Sequence, residues 1–316
     1  MQTNPHLLNR QIQQVEEIPN SKLTFSVLQW NTLARCYTSS KHFPLLPREA
    51  IDFEVREKLL SQEIKSYNAD VICLEEVDKT DLQFFKSLYS ENEYSFSYAK
   101  KPHSKDGICI LIKRPFELME EEMIEHTNEN KEKQNLVSQV VVAKQKKGDL
   151  EICLIVASCH LKAANFPQVR LNQAKQIIEV IEKKKQKYME LGYKKENMIV
   201  LVCGDFNDCH ESESTQEFLQ HKDLNLKSAF EDVEYTLFQK YGNREFTIKG
   251  VFDYVLHSDN LILTKKIGPP ETQISEDGLL SLEFPSDHLS LFCELSLPET
   301  GETKKIESGF KMCSIF

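Results

Sequence analysis

The stretch Met198-Ile199-Val200-Leu201-Val202-Cys203-Gly204-Asp205-Phe206-Asn207 sets the reading of the chain. The apolar run 198–202 predicts a strand buried on both faces, and the Gly-Asp-Phe-Asn after it predicts a turn at the strand end. The same layout recurs on either side. The β-rich segment Leu23 to Leu28 ends in Gln29-Trp30-Asn31, Val71 to Leu74 ends in Glu75-Glu76-Val77-Asp78, and Ile152 to Ser158 ends in Cys159-His160-Leu161. Further strand-like runs lie at 109–112 and 137–143. Asp253 falls inside a run at 251–256, and Ser286-Asp287-His288 stand just before one at 289–295. Asn31, Glu76, His160, Asp205 and Asn207 therefore each follow the end of an apolar strand. That places them on one rim of a sheet, where rigid elements position side chains that loops leave accessible.

Helical spacing separates these strands. Pro47 opens a pattern with Ile51, Val55, Leu59, Leu60 and Ile64 on one face; Leu82, Phe85 and Leu88 form a shorter one. A long helix is predicted from about Arg170 to Leu191, with Leu171, Ala174, Ile177, Ile178 and Ile181 inward and Lys183 to Lys187 as a solvated face. Polar stretches at 125–135 and 268–283 read as loops. The alternation predicts an α/β chain with a polar arm over 1–21, one domain over 22–298 and a tail over 299–316.

Composition narrows the class. The chain has 316 residues, 40% apolar and 28% charged, enough to bury a sizeable core. Its longest apolar run, Ile152 to Cys159, is far short of a membrane span. Nine cysteines without a C-x-x-C pair, and an N-terminus without a secretory layout, predict a reduced, cytoplasmic setting with no cysteine metal site. A net charge of −10 argues against coating nucleic acid electrostatically, but not against an enzyme that handles one phosphate in a local pocket. Carboxylates, amides and two histidines, with no thiolate, suit a hard cation such as Mg²⁺ (Mn²⁺ substituting) beside a phosphate ester.

Taken together, Trp30-Asn31, Leu74-Glu75-Glu76-Val77-Asp78, Asp106-Gly107, His160-Leu161-Lys162-Ala163, Cys203-Gly204-Asp205-Phe206-Asn207, Phe252-Asp253-Tyr254-Val255 and Pro285-Ser286-Asp287-His288-Leu289-Ser290-Leu291 resemble the endonuclease/exonuclease/phosphatase superfamily. Leu28 to Ala34, Lys105-Asp106-Gly107, Arg170-x-x-Gln173 after the His-Leu-Lys-Ala, and Phe284 to Leu291 resemble its nocturnin and carbon-catabolite-repressor-type deadenylase branch. The resemblance implies a two-layer β-sandwich flanked by helices and in-line attack of water on phosphorus. It implies Glu76 as main Mg²⁺ ligand, with Asn31 and Asp287 completing or supporting the metal site. Asp205 and Asn207 would orient water and phosphate. His288 would pair with Asp253, and His160 would donate to a phosphate oxygen; either Asp205 or His288 would be the general base. Lys101, Lys162, Arg170 and Phe238 are the substrate-side candidates, with Tyr241, Phe246 and Phe284 as further stacking aromatics for a single strand.

The implied activity is a 3′→5′ exoribonuclease on poly(A)-like RNA 3′ ends. An NADP(H) 2′-phosphatase or other small phosphoesterase is the alternative; Lys101 and Lys162 favour it, and Ala164, where that pattern has Arg, counts against it. Asp208-Cys209 after Asn207 and Tyr254 after Asp253 depart from inositol 5-phosphatases, and the Trp-Asn-Thr-Leu-Ala start departs from DNA-repair endonucleases. An inactive binding module conflicts with the full set of expected catalytic residues. Glu75 stands where the branch usually has Gln, an extra carboxylate that would weaken phosphate binding or add a metal ligand. The C-terminal Cys313-Ser314-Ile315-Phe316 fits a C-a-a-X box, so prenylation of Cys313 would give reversible membrane contact.

Overall fold

The computed structural model describes residues 5–242 and 246–299. In chain order the strands are β1 (Ile12–Gln14), β2 (Ser21–Asn31), β3 (Val71–Asp78), β4 (Tyr94–Lys100), β5 (Asp106–Lys113), β6 (Glu117–Thr127), β7 (Lys133–Lys147), β8 (Leu150–His160), β9 (Met198–Asp205), β10 (Leu226–Ser228), β11 (Leu237–Tyr241), β12 (Phe246–Gly250), β13 (Asp253–Ser258), β14 (Ile262–Ile267) and β15 (Leu291–Pro298). The helices are α1 (Arg48–Ile51), α2 (Phe53–Tyr67), α3 (Leu82–Ser87), α4 (Pro167–Glu190) and α5 (Glu213–Leu219). Among the described residues, one sheet has the order β1-β14-β15-β2-β3-β5-β4, a second β10-β13-β9-β8-β7-β6, and β11-β12 form a hairpin.

The two large sheets pack face to face as a sandwich. Val27, Cys73 and Leu291 of the first share a core with Val141, Val156 and Cys203 of the second. Helices cover the outer faces. On α4, Ala174, Ile177, Ile178 and Ile181 press on Val140, Val142, Ile155 and Val200, and each isoleucine or valine contributes about 2 kcal/mol by leaving water. Pro167 starts α4, where its missing N–H costs nothing. The Asp52 side chain accepts from Glu54 N at 2.9 Å and starts α2, which splits the single helix expected after Pro47 in two.

Three sequence expectations change. In the polar arm, the described residues from 5 onward are docked: Leu7, Leu8 and Arg10 are buried, and β1 pairs with β14 at the sheet edge. Leu7 N donates to Glu63 Oε2 at 2.7 Å, and the Arg10 guanidinium donates through Nη1 to Ser290 O at 2.7 Å. The loop expected at 125–135 shrinks to the turn between β6 and β7, because the acidic run 117–127 is itself a strand at the sheet's edge with one face open to water. The segments 94–100, 237–241, 246–250 and 262–267 also contribute strands beyond those expected. Cys313 lies outside the described residues. Among the described residues, no helix is long and apolar enough to cross a membrane.

Candidate active site

Strand alternation builds the site. On β2, Gln29 and Asn31 face the second sheet, while Trp30 turns outward onto Phe284 and donates Nε1–H to His288 O at 2.7 Å. On the second sheet Asp205 lies opposite both His160 (β8) and Asp253 (β13) in register. The ends of β2, β3, β8 and β9 and the start of β13 thus meet where the two sheets face one another.

Two backbone devices aim the carboxylates. The β3 ladder slips between Leu74 and Val77, and Glu76 sits there at φ 55°. Regular alternation would turn Glu76 away from Glu75's side; the bulge turns it into the site, where Oε2 accepts from Ala34 N at 3.0 Å and Oε1 faces Asn31 Nδ2 at 3.3 Å. Gly204 has φ 144°, and a Cβ there would lie 1.9 Å from the Cys159 carbonyl oxygen. Only glycine lets β8 and β9 close this tightly beneath His160 and Asp205. Asn207 follows at φ 50°, its N–H on Asp205 Oδ1 at 2.8 Å and its Nδ2 on Leu161 O.

The expected residues converge. His288 Nδ1 lies 2.8 Å from Asp253 Oδ2, and its Nε2 lies 3.8 Å from Asp205 Oδ2. Asn31 Nδ2 donates to Asp205 Oδ2 at 3.0 Å. His160 Nε2 lies 3.7 Å from Asp205 and 3.9 Å from Glu76. Ligand atoms of Asp205, Asp253 and His288 all lie within 4.8 Å of one another, a buried acid/histidine cluster. Asp287 accepts the Tyr241 hydroxyl on Oδ2 at 2.6 Å; its Oδ1 is buried without a hydrogen-bond partner among the described residues.

Charge follows from burial and crowding. Burial pushes Asp205 up to about 7, against the charge of His288, which lowers it. Burial disfavours charge on His288 too, but the carboxylates of Asp253 and Asp205 outweigh it and hold the imidazole well above its usual value. His160 goes the other way, held well below its usual value by burial and then by the charge of Lys101. Glu76 is raised by burial and by the nearby charge of Asp287.

The substrate-side candidates divide. Lys101 is nearly buried and its Nζ lies 2.6 Å from Asp106 Oδ2. Lys162 Nζ stands 5.1 Å from the Phe166 ring centroid. Arg170 turns inward: it donates to Asp208 Oδ2 at 2.7 Å and to the carbonyls of Lys162 and Ala164, so it braces the loop after His160. Phe238 packs edge-on against Tyr235. Phe284 is fully buried against Trp30 and offers no stacking face, whereas Phe246 is 60% exposed. Glu75, expected at the rim, points into the interior, where Ser158 Oγ and Gln29 Nε2 bond it. Asn31 Oδ1 accepts from Leu33 N, and its Nδ2 donates to Asp205 Oδ2 and faces Glu76 Oε1.

Arg56 was missed. It is fully buried on α2 and donates to the carbonyls of Thr32, Leu33 and Pro285, tying the loop after Asn31 to the loop before Asp287. An arginine beside the apolar positions Val55 and Leu59 was the available signal.

A family model described as the Endonuclease/Exonuclease/phosphatase family matches residues 28–179 and 187–288. The chain belongs to this family. Within the Endonuclease/Exonuclease/phosphatase family it is 30% identical to nocturnin of Xenopus laevis over 304 residues, covering 87% of this chain and 73% of that protein. It is 25% identical to the CCR4-Not complex 3′-5′-exoribonuclease subunit Ccr4 of Candida albicans, covering 88% of this chain; the match spans only 42% of that longer protein. The fold superposes on the human Nocturnin catalytic domain with bound sulfate anion (TM-score 0.68, 24% identity, 91% of this chain and 97% of that one). It also superposes on ANGEL2, a 2′,3′-cyclic phosphatase (TM-score 0.71, 19% identity, 91% and 98%). The chain is a phosphoester hydrolase of the nocturnin and Ccr4 branch.

Proposed function

We propose that this hydrolase is a Mg²⁺-dependent 3′→5′ exoribonuclease acting on poly(A)-like RNA 3′ ends. The observation that carries the chemistry is the Asp205–His288–Asp253 cluster facing Glu76 and Asp287 across the sandwich rim. The RNA assignment draws on the Ccr4 relative, and on Phe246, an exposed aromatic 6.4 Å from the Tyr241 ring that bonds the site, placed to stack a base.

The residues present fit the divalent cation. Glu76 and Asp287 are carboxylates close enough that the charge of one raises the other, and Asp287 Oδ1 is buried without a partner among the described residues. These two would hold it, with Asn31 donating to Glu76 from the side. When bound, the cation neutralises charge on the phosphate oxygens. Asp205, raised toward neutrality and oriented by Asn31 and Asn207, accepts the proton of the attacking water. His288, kept protonated by Asp253 and Asp205, faces the charge that grows on the phosphate, and neutral His160 donates its one N–H to a phosphate oxygen. Attack in line with the leaving O3′ breaks the P–O3′ bond; the leaving oxygen takes a proton from solvent to become the new 3′-hydroxyl, and a nucleoside 5′-monophosphate is released.

A 5′-labelled oligo(A), incubated with Mg²⁺ or with EDTA, tests this. Stepwise shortening that EDTA abolishes is the expected result. Intact RNA from folded protein overturns it and moves the reading to a small phosphoester, with phosphate release from NADP⁺ as the next assay. Geranylgeranylation of Cys313 in a cytoplasmic setting completes the proposal; membrane fractionation unaltered by Cys313→Ser rejects that part.

A further inference from the structure

Beneath the catalytic cluster, and joined to it at Asp253, runs a thread of three buried polar groups that the proposed chemistry does not use: Ser158, Glu75 and Gln29. Ser158 Oγ donates to Glu75 Oε1 at 2.7 Å. Gln29 Nε2 donates to Glu75 Oε2 at 2.8 Å and to Asp253 Oδ1 at 3.0 Å. Asp253 Oδ2, its other oxygen, takes His288 Nδ1 at 2.8 Å. Gln29, Glu75, Ser158 and Asp253 are all fully buried. The thread crosses between the sheets: Gln29 and Glu75 belong to the first, Ser158 and Asp253 to the second.

We infer that Gln29 is a positioning residue for the Asp253–His288 pair, with Glu75 and Ser158 fixing Gln29 in turn. An aspartate that orients a histidine must have both oxygens held, or its carboxylate turns about the Cβ–Cγ bond and the ring follows. Gln29 supplies the second hold. Its amide can face two acceptor oxygens only with the NH₂ group toward them, so the orientation follows from the partners. Glu75, where the branch usually carries Gln, offers Gln29 an acceptor oxygen. Supporting residues of this kind alter activity without touching substrate, because the geometry they hold must be right within a fraction of an ångström.

The kinetic arm of the test rests on the proposed hydrolysis; the spectroscopic arm does not. Gln29→Met keeps length and volume and removes the donor. It should lower kcat on labelled oligo(A) about 30-fold while KM stays within about twofold. By proton NMR, the downfield His288 Nδ1–H signal, assigned by its loss in His288→Ala, should shift or broaden. A kcat within twofold of wild type, or an unmoved His288 signal, overturns the inference. If Gln29→Met does not fold, the Glu75 pair decides. Glu75→Leu should lose turnover and move the same signal, and Glu75→Gln, which keeps an acceptor toward Gln29, should recover both; equal behaviour of the two overturns it. A wild type inactive on RNA would sink the exoribonuclease reading, and the His288 signal would still judge Gln29.

Discussion

The Tyr241 hydroxyl donates to Asp287 Oδ2 at 2.6 Å, which makes the β11–β12 hairpin part of the wall of the site. Tyr241 also packs on Phe43 at 5.4 Å between ring centroids, so the loop 32–47 and the hairpin meet over the same carboxylate.

Removing that hydroxyl leaves the Asp287 carboxylate free to turn. Tyr241→Phe should raise the Mg²⁺ concentration for half-maximal rate about tenfold, with the saturated rate within about threefold of wild type. A Mg²⁺ titration of initial rates checks this, and an unchanged midpoint removes Tyr241 from the site.

Glu76, Asp205 and His288 hold the cation, the proton and the phosphate charge respectively in the proposed reaction. Glu76→Ala, Asp205→Asn and His288→Ala should each lower kcat about a hundredfold or more while the far-ultraviolet circular dichroism stays that of wild type. A near-normal rate in any one of them strikes that residue from the mechanism.

Gly204 has no room for a side chain. Gly204→Ala drives a methyl group into the Cys159 carbonyl at a φ that disfavours any L residue, and should cost about 3 kcal/mol or more. Urea denaturation measures it; a midpoint equal to wild type would mean that the β8–β9 contact yields easily.

His126 supplies a pH dependence remote from the catalytic cluster. Its ring is buried between Ser138 Oγ, at 2.8 Å, and Gln176 Oε1, at 3.2 Å, and burial lowers it to about 4 from the ordinary 6.5. The unfolded chain therefore binds a proton that the folded one refuses between those values. The stability is fully present above about pH 6.5 and is lost as pH falls toward 4, about 3 kcal/mol in all. Denaturation midpoints across this range should fall less steeply in His126→Gln; identical slopes would reject the assignment.

Much of this site was legible because strand ends announce themselves: Asp205, His160 and Asn31 follow apolar runs, and the runs are strands. Other features are tertiary and leave little local trace. Glu75 and Glu76 are adjacent and chemically alike; only the bulge and the left-handed φ of Glu76 decide which enters the site. Arg170 resembles a phosphate ligand until its carbonyl partners are seen. The 117–127 strand is too acidic to read as one, because the lysines that pair with Glu120 and Glu122 stand on α4, about 60 residues further along the chain. The docking of residues 7–14 depends on Glu63 and Ser290, residues far away in the chain.

Pairing of β2 with β15 sets side by side segments from near the start and near the end of the described chain, Gln29 opposite Leu291. Asp287 and His288 therefore leave the ribosome after every other residue of the site. A nascent chain that has already formed the Asp205 strand still lacks the imidazole for Asp253 and the second carboxylate for Glu76. The proposed hydrolysis therefore waits on the β2–β15 pairing, the long-range contact that brings the last carboxylate and imidazole to a rim the earlier strands have already built.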